Sequence, residues 1–359
     1  MNPDEKTSLR SPIGDTWRNS IISPDSNIRE AIQILNQSSL RIVLVCDPNG
    51  SLVGTISDGD IRRGLLQGFD LSNSIKKLIC LNPITVSRQH KRNHVLELMS
   101  KHRIYQVPIV DESKRLVGLH LWDENKLSER RKNKMVIMAG GKGKRLYPAT
   151  ANMPKPMLTI AGKPILEHII NQAKLDGFDD FVITLHYLGE LIEEYFGNGS
   201  ALNVKIEYLF EDSPLGTAGS LSLLNPVPAH PLVITNGDVL TNVRYGKVVD
   251  HHLEKGAYAT MAVHIHEWQN PFGVVSVEGN EIKGYAEKPV SRTLINAGVY
   301  VLNPDALTFL EKGSPCDMPT LLEKARISGK RVIAYPIHEN WLDIGRPEDL
   351  KEALNIFAD

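Results

Sequence analysis

A glycine-rich loop that carries several cations is the part of the sequence best suited to bind phosphate. Residues 140–146 read Gly-Gly-Lys-Gly-Lys-Arg-Leu and follow the apolar run Met135–Ala139, which is predicted to be a β-strand. Glycines let several backbone N–H groups approach one anion because no Cβ is in the way. Lys144 and Arg145 add positive charge, and Lys155 adds more from extended backbone between two prolines. The pattern indicates a triphosphate site, and a basic glycine turn is the alternative.

Two better-known phosphate loops do not fit this segment. A P-loop requires Ser or Thr after Gly-Lys, whereas Arg145 follows Gly143-Lys144. A Rossmann fingerprint would have its third glycine where Leu146 stands. The loop therefore matches neither of these two nucleotide-binding loops.

Two aspartates that are far apart in the sequence could bind a divalent cation near that loop. Asp238 follows the predicted buried strand Leu232–Thr235, and Asp343 lies far downstream in Trp341-Leu-Asp-Ile-Gly345. Magnesium is usually held by one or two carboxylates together with substrate phosphates. Each residue has an alternative: Asn236-Gly237-Asp238 could be a simple turn, and Asp343 could cap a helix that begins near Pro347.

The elements around these residues alternate between strand and helix patterns. After the first strand, a helix with an apolar stripe follows Pro164, and further strands are predicted at Phe181–Leu185, Lys205–Leu209 and Leu232–Thr235. This alternation predicts an α/β fold with a doubly wound, mostly parallel sheet. Ligands of such sheets bind beyond the carboxyl ends of the strands, where the loop and Asp238 are expected.

The first third of the chain contains an internal repeat. Asp47 and Asp111 are 64 positions apart (111 − 47), and Gly54 and Gly118 have the same offset. Each copy reads as an apolar helix, a strand, a turn and a second strand, so the two copies are expected to pack sheet to sheet. This α+β repeat resembles a pair of CBS domains, often called a Bateman module.

The resemblance to CBS domains implies a regulatory adenine-nucleotide site, for AMP or ATP, at Ser57 and Asp60. The second copy has Leu121 and Glu124 at the matching positions, so one competent site is expected at most. A scaffold without a ligand is the alternative, because Ser-Asp-Gly-Asp is also an ordinary helix-capping string.

Several motifs in the rest of the chain resemble those of the sugar-1-phosphate nucleotidyltransferases, in the same order. They are the 140–146 loop, Pro154-Lys155-Pro156, Leu215-Gly-Thr-Ala-Gly219, Pro271-Phe-Gly273, Glu287-Lys-Pro289 and Asn296-Ala-Gly298. The resemblance implies a GT-A or Rossmann-like nucleotidyltransferase fold and Mg²⁺ as cofactor. Lys144 departs from the family pattern, which usually has Thr or Ser there.

The same resemblance assigns roles to individual residues. Catalysis is assigned to Arg145, Lys155 and Asp238, and the magnesium ion to Asp238 and Asp343. Nucleotide binding is assigned to Ala139, Gly140, Gly141, Gly143, Lys144, Glu211, Pro214, Gly216, Thr217 and Ala218. Sugar-phosphate binding is assigned to Gly273, Glu287, Lys288, Asn296 and Gly298.

The predicted organisation is a CBS pair at residues 1–127 with repeats at about 16–69 and 75–125. A solvated linker follows at 128–134, and the nucleotidyltransferase domain spans 135–359. The expected reaction joins a nucleoside triphosphate, with GTP favoured, to a hexose 1-phosphate of amino-sugar, mannose or heptose type. Alternatives are UTP or CTP with another sugar phosphate or phosphocholine, and a catalytically inactive nucleotide sensor. CBS pairs commonly dimerise, so a homodimer or larger homo-oligomer is expected.

Composition sets limits on partners and location. Lys plus Arg total 41 and Asp plus Glu total 42, so bulk charge gives no reason to expect nucleic acid or an anionic membrane. Three scattered cysteines argue against a disulfide framework or a zinc site. Residues 1–11 have no apolar core, so a signal peptide is not expected and the location is predicted to be cytoplasmic. His264 and His266 lack an evident third zinc ligand, and His251 and His252 are expected to be solvated.

Overall fold

The computed structural model describes residues 16–38, 40–102, 104–122 and 130–357. The expectations about residues 1–11, Glu124 and the first part of the linker fall outside these ranges. Internal contacts divide the chain into two compact units, Met1–Lys126 and Leu127–Asp359.

The first unit consists of two related halves. Its elements are β1 (Ile21–Ile22), α1 (Ile28–Ser38), β2 (Ile42–Cys46), β3 (Leu52–Ser57), α2 (Asp58–Leu66), α3 (Arg92–His102), β4 (Gln106–Val110) and β5 (Leu116–Leu121), with short 3-10 turns at Thr16–Ser20 and Ile75–Lys77.

In the first half of this unit, β1 is parallel to β2 and β3 is antiparallel to β2; in the second half, β4 and β5 form a hairpin. The turns of the two halves meet, because the Leu52 N–H donates to the Lys114 carbonyl and the Leu116 N–H donates to the Gly50 carbonyl, both at 3.0 Å. Both halves also contribute to one apolar core that contains Leu44 and Leu119. This agrees with the predicted packing of two repeats.

The second unit is built on a seven-stranded sheet. Its elements are β6 (Met135–Met138), β7 (Thr159–Ile160), β8 (Lys163–Pro164), α4 (Ile165–Leu175), β9 (Asp180–Leu185), α5 (Gly189–Phe196), β10 (Lys205–Phe210), α6 (Gly216–Gly219), β11 (Leu232–Asn236), β12 (Val239–Thr241), α7 (Tyr245–Glu254), β13 (Ala259–Gln269), β14 (Val274–Glu278), β15 (Glu281–Ala286), β16 (Val290–Leu302), α8 (Met318–Ile327), β17 (Val332–Ile337), β18 (Trp341–Asp343) and α9 (Pro347–Phe357).

The large sheet has the strand order β10-β9-β6-β11-β16-β13-β17. Six of these strands pair in parallel with a neighbour, and β16 is antiparallel to both β11 and β13. The predicted α/β class and the mostly parallel sheet are therefore confirmed.

Both faces of this sheet are buried. Along β6, Met135 and Ile137 enter one apolar core, whereas Val136 between them enters a second core. Helix α4 covers the first core with a helical stripe that includes Ile165 and Ile169, and α8 covers the second with Leu321 and Leu322. Helices on both faces explain why the strands are nearly continuous runs of apolar residues.

The outer halves of β13 and β16, together with the β14–β15 hairpin, form an extension that we call the β-arm (residues 264–295). Strands β14 and β15 pair only with each other among the described strands. Every residue of β14 is exposed, and Phe272 and Tyr285 are 74% and 77% exposed. The β-arm is therefore a thin, solvent-accessible element attached to a buried sheet.

The segment predicted to be a solvated linker lies along the second unit where it is described. Arg131 pairs with Asp250 at 2.9 Å, and its backbone N–H donates to the Gly177 carbonyl at 2.8 Å. Lys134 pairs with Glu207 at 2.8 Å. These contacts fix the residues that lead into β6.

Candidate functional site

A cleft of about 240 Å³ opens at the carboxyl ends of β6, β9 and β11. Eight of its lining residues lie at these strand ends or in the glycine loop, two come from the turn at Lys155–Met157, and four come from the 211–217 loop. They are Met138, Ala139, Gly140, Gly141, Lys155, Pro156, Thr184, Glu211, Pro214, Gly216, Thr217, Asn236, Gly237 and Asp238. A second depression beside it is formed by Gly143, Lys144, Arg145, Leu146 and Gly345, and shares Gly141, Lys155 and Asp238 with the first.

The two predicted metal ligands lie close together. Asp238 lies between β11 and β12, and Asp343 is the last residue of β18. These short strands pair antiparallel with Val239 opposite Asp343, and the Ile344 N–H donates to the Asp238 carbonyl at 3.0 Å. Both side chains are partly exposed, at 29% and 45%. Sheet pairing thus brings together two carboxylates that are far apart in sequence.

The alternative role of Asp343 as a helix cap is filled by another residue. Asp349 Oδ2 accepts hydrogen bonds from the backbone N–H groups of Gly345 and Arg346, at 2.8 and 2.6 Å, at the start of α9. Asp343 is therefore not needed for capping.

Lys155 connects the cationic loop with the carboxylates. Its side chain is 8% exposed, and its Nζ contacts Asp238 Oδ2 and lies 3.8 Å from Asp343 Oδ1. The expected extended backbone at Lys155 is wrong: the residue begins a 3-10 turn, Lys155–Met157, and only Pro154 before it is extended. The turn directs the ammonium group inward to the carboxylates.

The charge environment of Asp343 is mixed. Burial raises the pKa of its carboxyl group, and the negative charge of Asp238 raises it further, whereas Lys155 and Arg145 lower it. The Arg145 guanidinium packs on Gly345, where an added Cβ would lie 3.3 Å from Nη1. Two acids and two cations therefore share one edge of the cleft. An all-oxygen carboxylate pair of this kind fits a magnesium ion.

The glycine loop depends on Gly143. This residue has φ +58°, and an added Cβ would lie 3.0 Å from Thr150 Cγ2 and 3.2 Å from Lys155 Cβ. The Thr150 hydroxyl donates to the Gly143 carbonyl at 2.9 Å. The turn and the cationic residues that follow it are therefore fixed by packing on Thr150 and Lys155.

The 211–219 loop is held at both ends. Glu211, only 9% exposed, accepts a hydrogen bond from the Leu215 N–H through Oε2 at 2.9 Å. Its Oε1 faces Gly140, where an added Cβ would lie 3.5 Å away. Ala218 departs from its assigned role, because it is fully buried in the core and its N–H donates to the Cys316 carbonyl at 2.8 Å. Packing therefore leaves Ala218 outside the cleft.

The residues assigned to the sugar phosphate divide between two places. Gly273, Glu287 and Lys288 are exposed on the β-arm, and an added Cβ at Gly273 would lie 3.0 Å from Glu287 Oε2. Gly298 is buried near the cleft, where an added Cβ would lie 2.8 Å from Asn236 Nδ2. Asn296 Oδ1 accepts from the Gly298 N–H at 3.0 Å. Strand β16 runs continuously from the β-arm to the cleft edge.

Sequence reasoning missed several residues around the cleft. His186 follows β9, and its Nδ1 lies 3.0 Å from the Glu211 carbonyl, so it links two strand ends. Thr184 and Asn236 line the cleft beside it. Their positions at the carboxyl ends of β9 and β11 were a usable signal, because all parallel strands end at the same edge.

The expectation that His252 is solvated is wrong. Its ring is 1% exposed, with Nδ1 at 2.9 Å from Thr260 Oγ1 and Nε2 at 3.1 Å from Asn303 Oδ1. Burial lowers its pKa. Tyr245, Val248 and His252 share one face of α7 at spacings of three and four residues, and this pattern could have predicted the burial.

In the first unit, Ser57 and Asp60 form a capping box at the start of α2. Asp60 Oδ2 accepts from the Ser57 N–H at 2.8 Å and from the Ser57 hydroxyl at 2.6 Å, and Oδ1 accepts from Arg63 at 2.5 Å. Both side chains therefore have a structural role in the chain itself.

Comparison with protein families agrees with these two architectures. Residues 134–359 match the sequence model described as Nucleotidyl transferase, and residues 14–67 and 75–119 match that of the CBS domain. The chain belongs to the nucleotidyl transferase family. It carries two CBS domains before the nucleotidyl transferase domain.

Curated relatives match this domain. A UTP–glucose-1-phosphate uridylyltransferase from Synechocystis sp. is 33% identical over 241 residues, which is 62% of this chain and 62% of the relative. A mannose-1-phosphate guanyltransferase from Schizosaccharomyces pombe is 32% identical over 229 residues, 60% of this chain and 62% of the relative. The chain thus spans less than two thirds of the relatives it matches.

A solved structure shares the fold of the nucleotidyl transferase domain. A proposed glucose-1-phosphate thymidylyltransferase from Bacillus anthracis, determined with sucrose, has a TM-score of 0.52 at 22% identity and covers 63% of this chain and 95% of its own. Within the described ranges, no helix has both the length and the apolar character needed to cross a bilayer.

Proposed function

We propose that this chain transfers a nucleotidyl group from a nucleoside triphosphate to a sugar 1-phosphate and releases pyrophosphate. One observation carries the proposal: Asp238 and Asp343 meet at the edge of a cleft whose other side is the glycine loop with its cations. The family and the activities named for its relatives support the same reaction.

The chemistry requires positioning and charge neutralisation, not a protein nucleophile. A phosphate oxygen of the sugar 1-phosphate attacks the α-phosphorus, the bond from that phosphorus to the bridging oxygen breaks, and pyrophosphate leaves. Backbone N–H groups of residues 140–143 bind the triphosphate, and Arg145 and Lys155 neutralise the charge that develops on the leaving group. Asp238 and Asp343 would hold Mg²⁺, which supplies Lewis-acid neutralisation of phosphate oxygens when bound.

Glu211 supports GTP as the preferred donor. Its carboxylate accepts hydrogen bonds and donates none, and Oε1 faces the Gly140 side of the cleft while Oε2 is held by Leu215. Guanine presents two neighbouring donors on its Watson–Crick edge, N1–H and N2–H. Uracil presents one donor between two carbonyl oxygens, which a carboxylate repels. A guanine is therefore the better partner for this residue.

Glu287 and Lys288 support a sugar as the acceptor. An exposed carboxylate can accept from hexose hydroxyls, and the adjacent lysine can pair with the phosphate. A hexose 1-phosphate of amino-sugar, mannose or heptose type is therefore proposed, and phosphocholine, which has no hydroxyls to bind, is disfavoured.

The test is pyrophosphate release from four nucleoside triphosphates combined with a panel of hexose 1-phosphates and phosphocholine, with and without Mg²⁺. GTP with one hexose 1-phosphate should give the highest kcat/KM. Absence of turnover with every pair would reject the reaction and favour a nucleotide sensor.

Glu211→Gln sharpens the donor assignment. The amide can still accept from Leu215 but repels a uracil carbonyl less, so the ratio of kcat/KM for GTP over UTP should fall about tenfold. Asp212→Gln, at the exposed neighbouring residue, is the matched control and should keep the ratio. An unchanged ratio in the Glu211 variant contradicts the assigned role of this carboxylate.

We further propose that an adenine nucleotide regulates the chain at Ser57 and Asp60. The exposed Arg63 guanidinium lies beside them, and an added Cβ at Gly59 would lie 3.2 Å from its Nη1, so hydroxyl, carboxylate and cation converge at one helix start. AMP and ATP titrations should raise the thermal midpoint of the chain, and Asp60→Asn should reduce that shift. A flat titration of the unaltered chain rejects this proposal.

A further inference from the structure

The cleft loop of the nucleotidyl transferase domain rests on a segment about a hundred residues further along the chain. This support segment, residues 314–318, leads into α8. The Cys316 carbonyl accepts from the backbone N–H groups of Ala218 and Gly219, at 2.8 and 3.0 Å. In return, the Cys316 N–H donates to the Leu215 carbonyl at 2.9 Å. Backbone hydrogen bonds in both directions therefore join the two segments.

Two side chains complete this junction reciprocally. Asp317 Oδ1 accepts from the Thr217 N–H at 3.2 Å, and the Thr217 hydroxyl oxygen accepts from the Met318 N–H at 2.8 Å. Thr217 and Met318 lie in the first turns of α6 and α8, where backbone N–H groups have no partner inside the helix. Each side chain thus satisfies a donor of the other segment. The Thr217 hydroxyl is directed to α8 by this bond.

An added side chain at either glycine of the junction would collide with the support segment. Gly216 has φ +74°, and an added Cβ would lie 2.7 Å from Asp317 Oδ1 and 2.8 Å from the Cys316 carbonyl oxygen. At Gly219 an added Cβ would lie 2.6 Å from the Ser314 carbonyl oxygen. The loop backbone therefore lies directly against the support segment.

We propose that Asp317 is a positioning residue for the nucleotide, acting through Thr217 and Gly216. Gly216 and Thr217 line the cleft, and Asp317 contacts both of them, because its Oδ1 accepts from the Thr217 N–H and lies against Gly216. A displaced loop would misplace the groups that read the base but would leave the β-arm unchanged. The inference rests on the proposed nucleotidyl transfer and extends it to a residue outside the family motifs considered above.

The first experiment separates the two substrates kinetically. Asp317→Ala should raise KM for the nucleoside triphosphate about tenfold, with KM for the sugar 1-phosphate changed less than twofold. Asp317→Asn keeps an acceptor oxygen and should restore KM to within about threefold of the unaltered chain. Glu323→Ala, an exposed acid on the same helix, is the matched control for a general effect on α8. Equal rises in both KM values, or no rescue by asparagine, would overturn the proposal.

The second experiment does not depend on turnover. Hydrogen exchange of a peptide that covers residues 215–219 should be faster in Asp317→Ala than in the unaltered chain, and near normal in Asp317→Asn. Exchange that is unchanged in Asp317→Ala overturns the inference even if no substrate pair reacts. Inactivity of the unaltered chain would reject the proposed function instead. Thr217→Val, which removes the acceptor for Met318, should give the same faster exchange if Asp317→Ala does not fold.

Discussion

The cleft buries two of its functional side chains, Lys155 and Glu211, and partly covers Asp238, whereas the β-arm exposes Glu287 and Lys288. Lys155 and Glu211 are 7% and 9% exposed, and hydrogen bonds within the domain hold both. On the β-arm, Glu287 and Lys288 are exposed, and the hairpin before them has large exposed apolar residues such as Tyr285. Contacts within the domain thus hold the nucleotide half of the proposed site in place, whereas the sugar half is solvent-accessible.

This difference has an energetic consequence. A charge held in a partly buried site interacts with substrate more strongly than one in water, and it needs little reorganisation when the reaction occurs. An exposed side chain must lose rotamer freedom to bind and is screened by solvent. We therefore expect substitutions in the cleft to lower turnover and substitutions on the β-arm to weaken sugar binding.

The largest effect is expected for Asp238→Asn. Loss of a carboxylate that would hold Mg²⁺ and that contacts Lys155 should lower kcat by about 10³-fold, because the proposed reaction depends mainly on charge neutralisation. Pyrophosphate release measures the rate, and circular dichroism verifies the fold. Asp212→Asn, an exposed neighbour of the cleft loop, should retain normal turnover. Near-normal pyrophosphate release by the Asp238 variant would contradict the assignment of Asp238 to the metal ion. It would also contradict the expectation that the cleft controls turnover and the β-arm controls sugar binding.

More of the cleft than of any other part of the molecule could be predicted from the sequence. Residues 140–146 and Asp238 each follow an apolar run, and parallel strands end at one edge, so local patterns sufficed to place them together. Asp343 was a candidate ligand by its residue type, but only the family resemblance paired it with Asp238. Its position depends on the pairing of β12 with β18, two three-residue strands that have no strong sequence signal.

Contacts between distant segments account for what the sequence could not predict. Ala218 lies in a motif that resembles the family's, but its N–H donates to the carbonyl of Cys316, almost a hundred residues away. The antiparallel direction of β16 likewise depends on the route of the chain through the β-arm, which alternation of strands and helices does not specify. The burial of His252 could have been predicted, because its spacing places it on the apolar face of α7. Only the polarity of its side chain argued against burial.

An intermediate effect is expected for Glu287→Gln on the β-arm. Replacing the carboxylate weakens its hydrogen bonds to sugar hydroxyls, so KM for the sugar 1-phosphate should rise about tenfold while KM for the nucleotide stays within about twofold. Steady-state kinetics with each substrate varied in turn gives both values. Glu281→Gln, at the start of β15, is the matched control and should behave as the unaltered chain. A fall in kcat as large as that for Asp238→Asn would mean that the β-arm is part of the catalytic centre.

The smallest effect is expected at the base of the β-arm, for His264→Gln. Burial beside Trp341 is the main cause that lowers the pKa of His264 to about 4, from an ordinary value of 6.5. The unfolded chain therefore takes up a proton before the folded chain does, and stability falls as the pH drops from about 6.5 towards 4. Urea unfolding at pH 7.5 and pH 5 should show a smaller loss for His264→Gln than for the unaltered chain. His266→Gln, on the same strand with an exposed side chain, should keep most of the loss, because His266 is a smaller cause of the lowered pKa than burial is. Equal losses in all three proteins would mean that burial does not lower the pKa of His264, and that the base of the β-arm is as solvent-accessible as the rest of it.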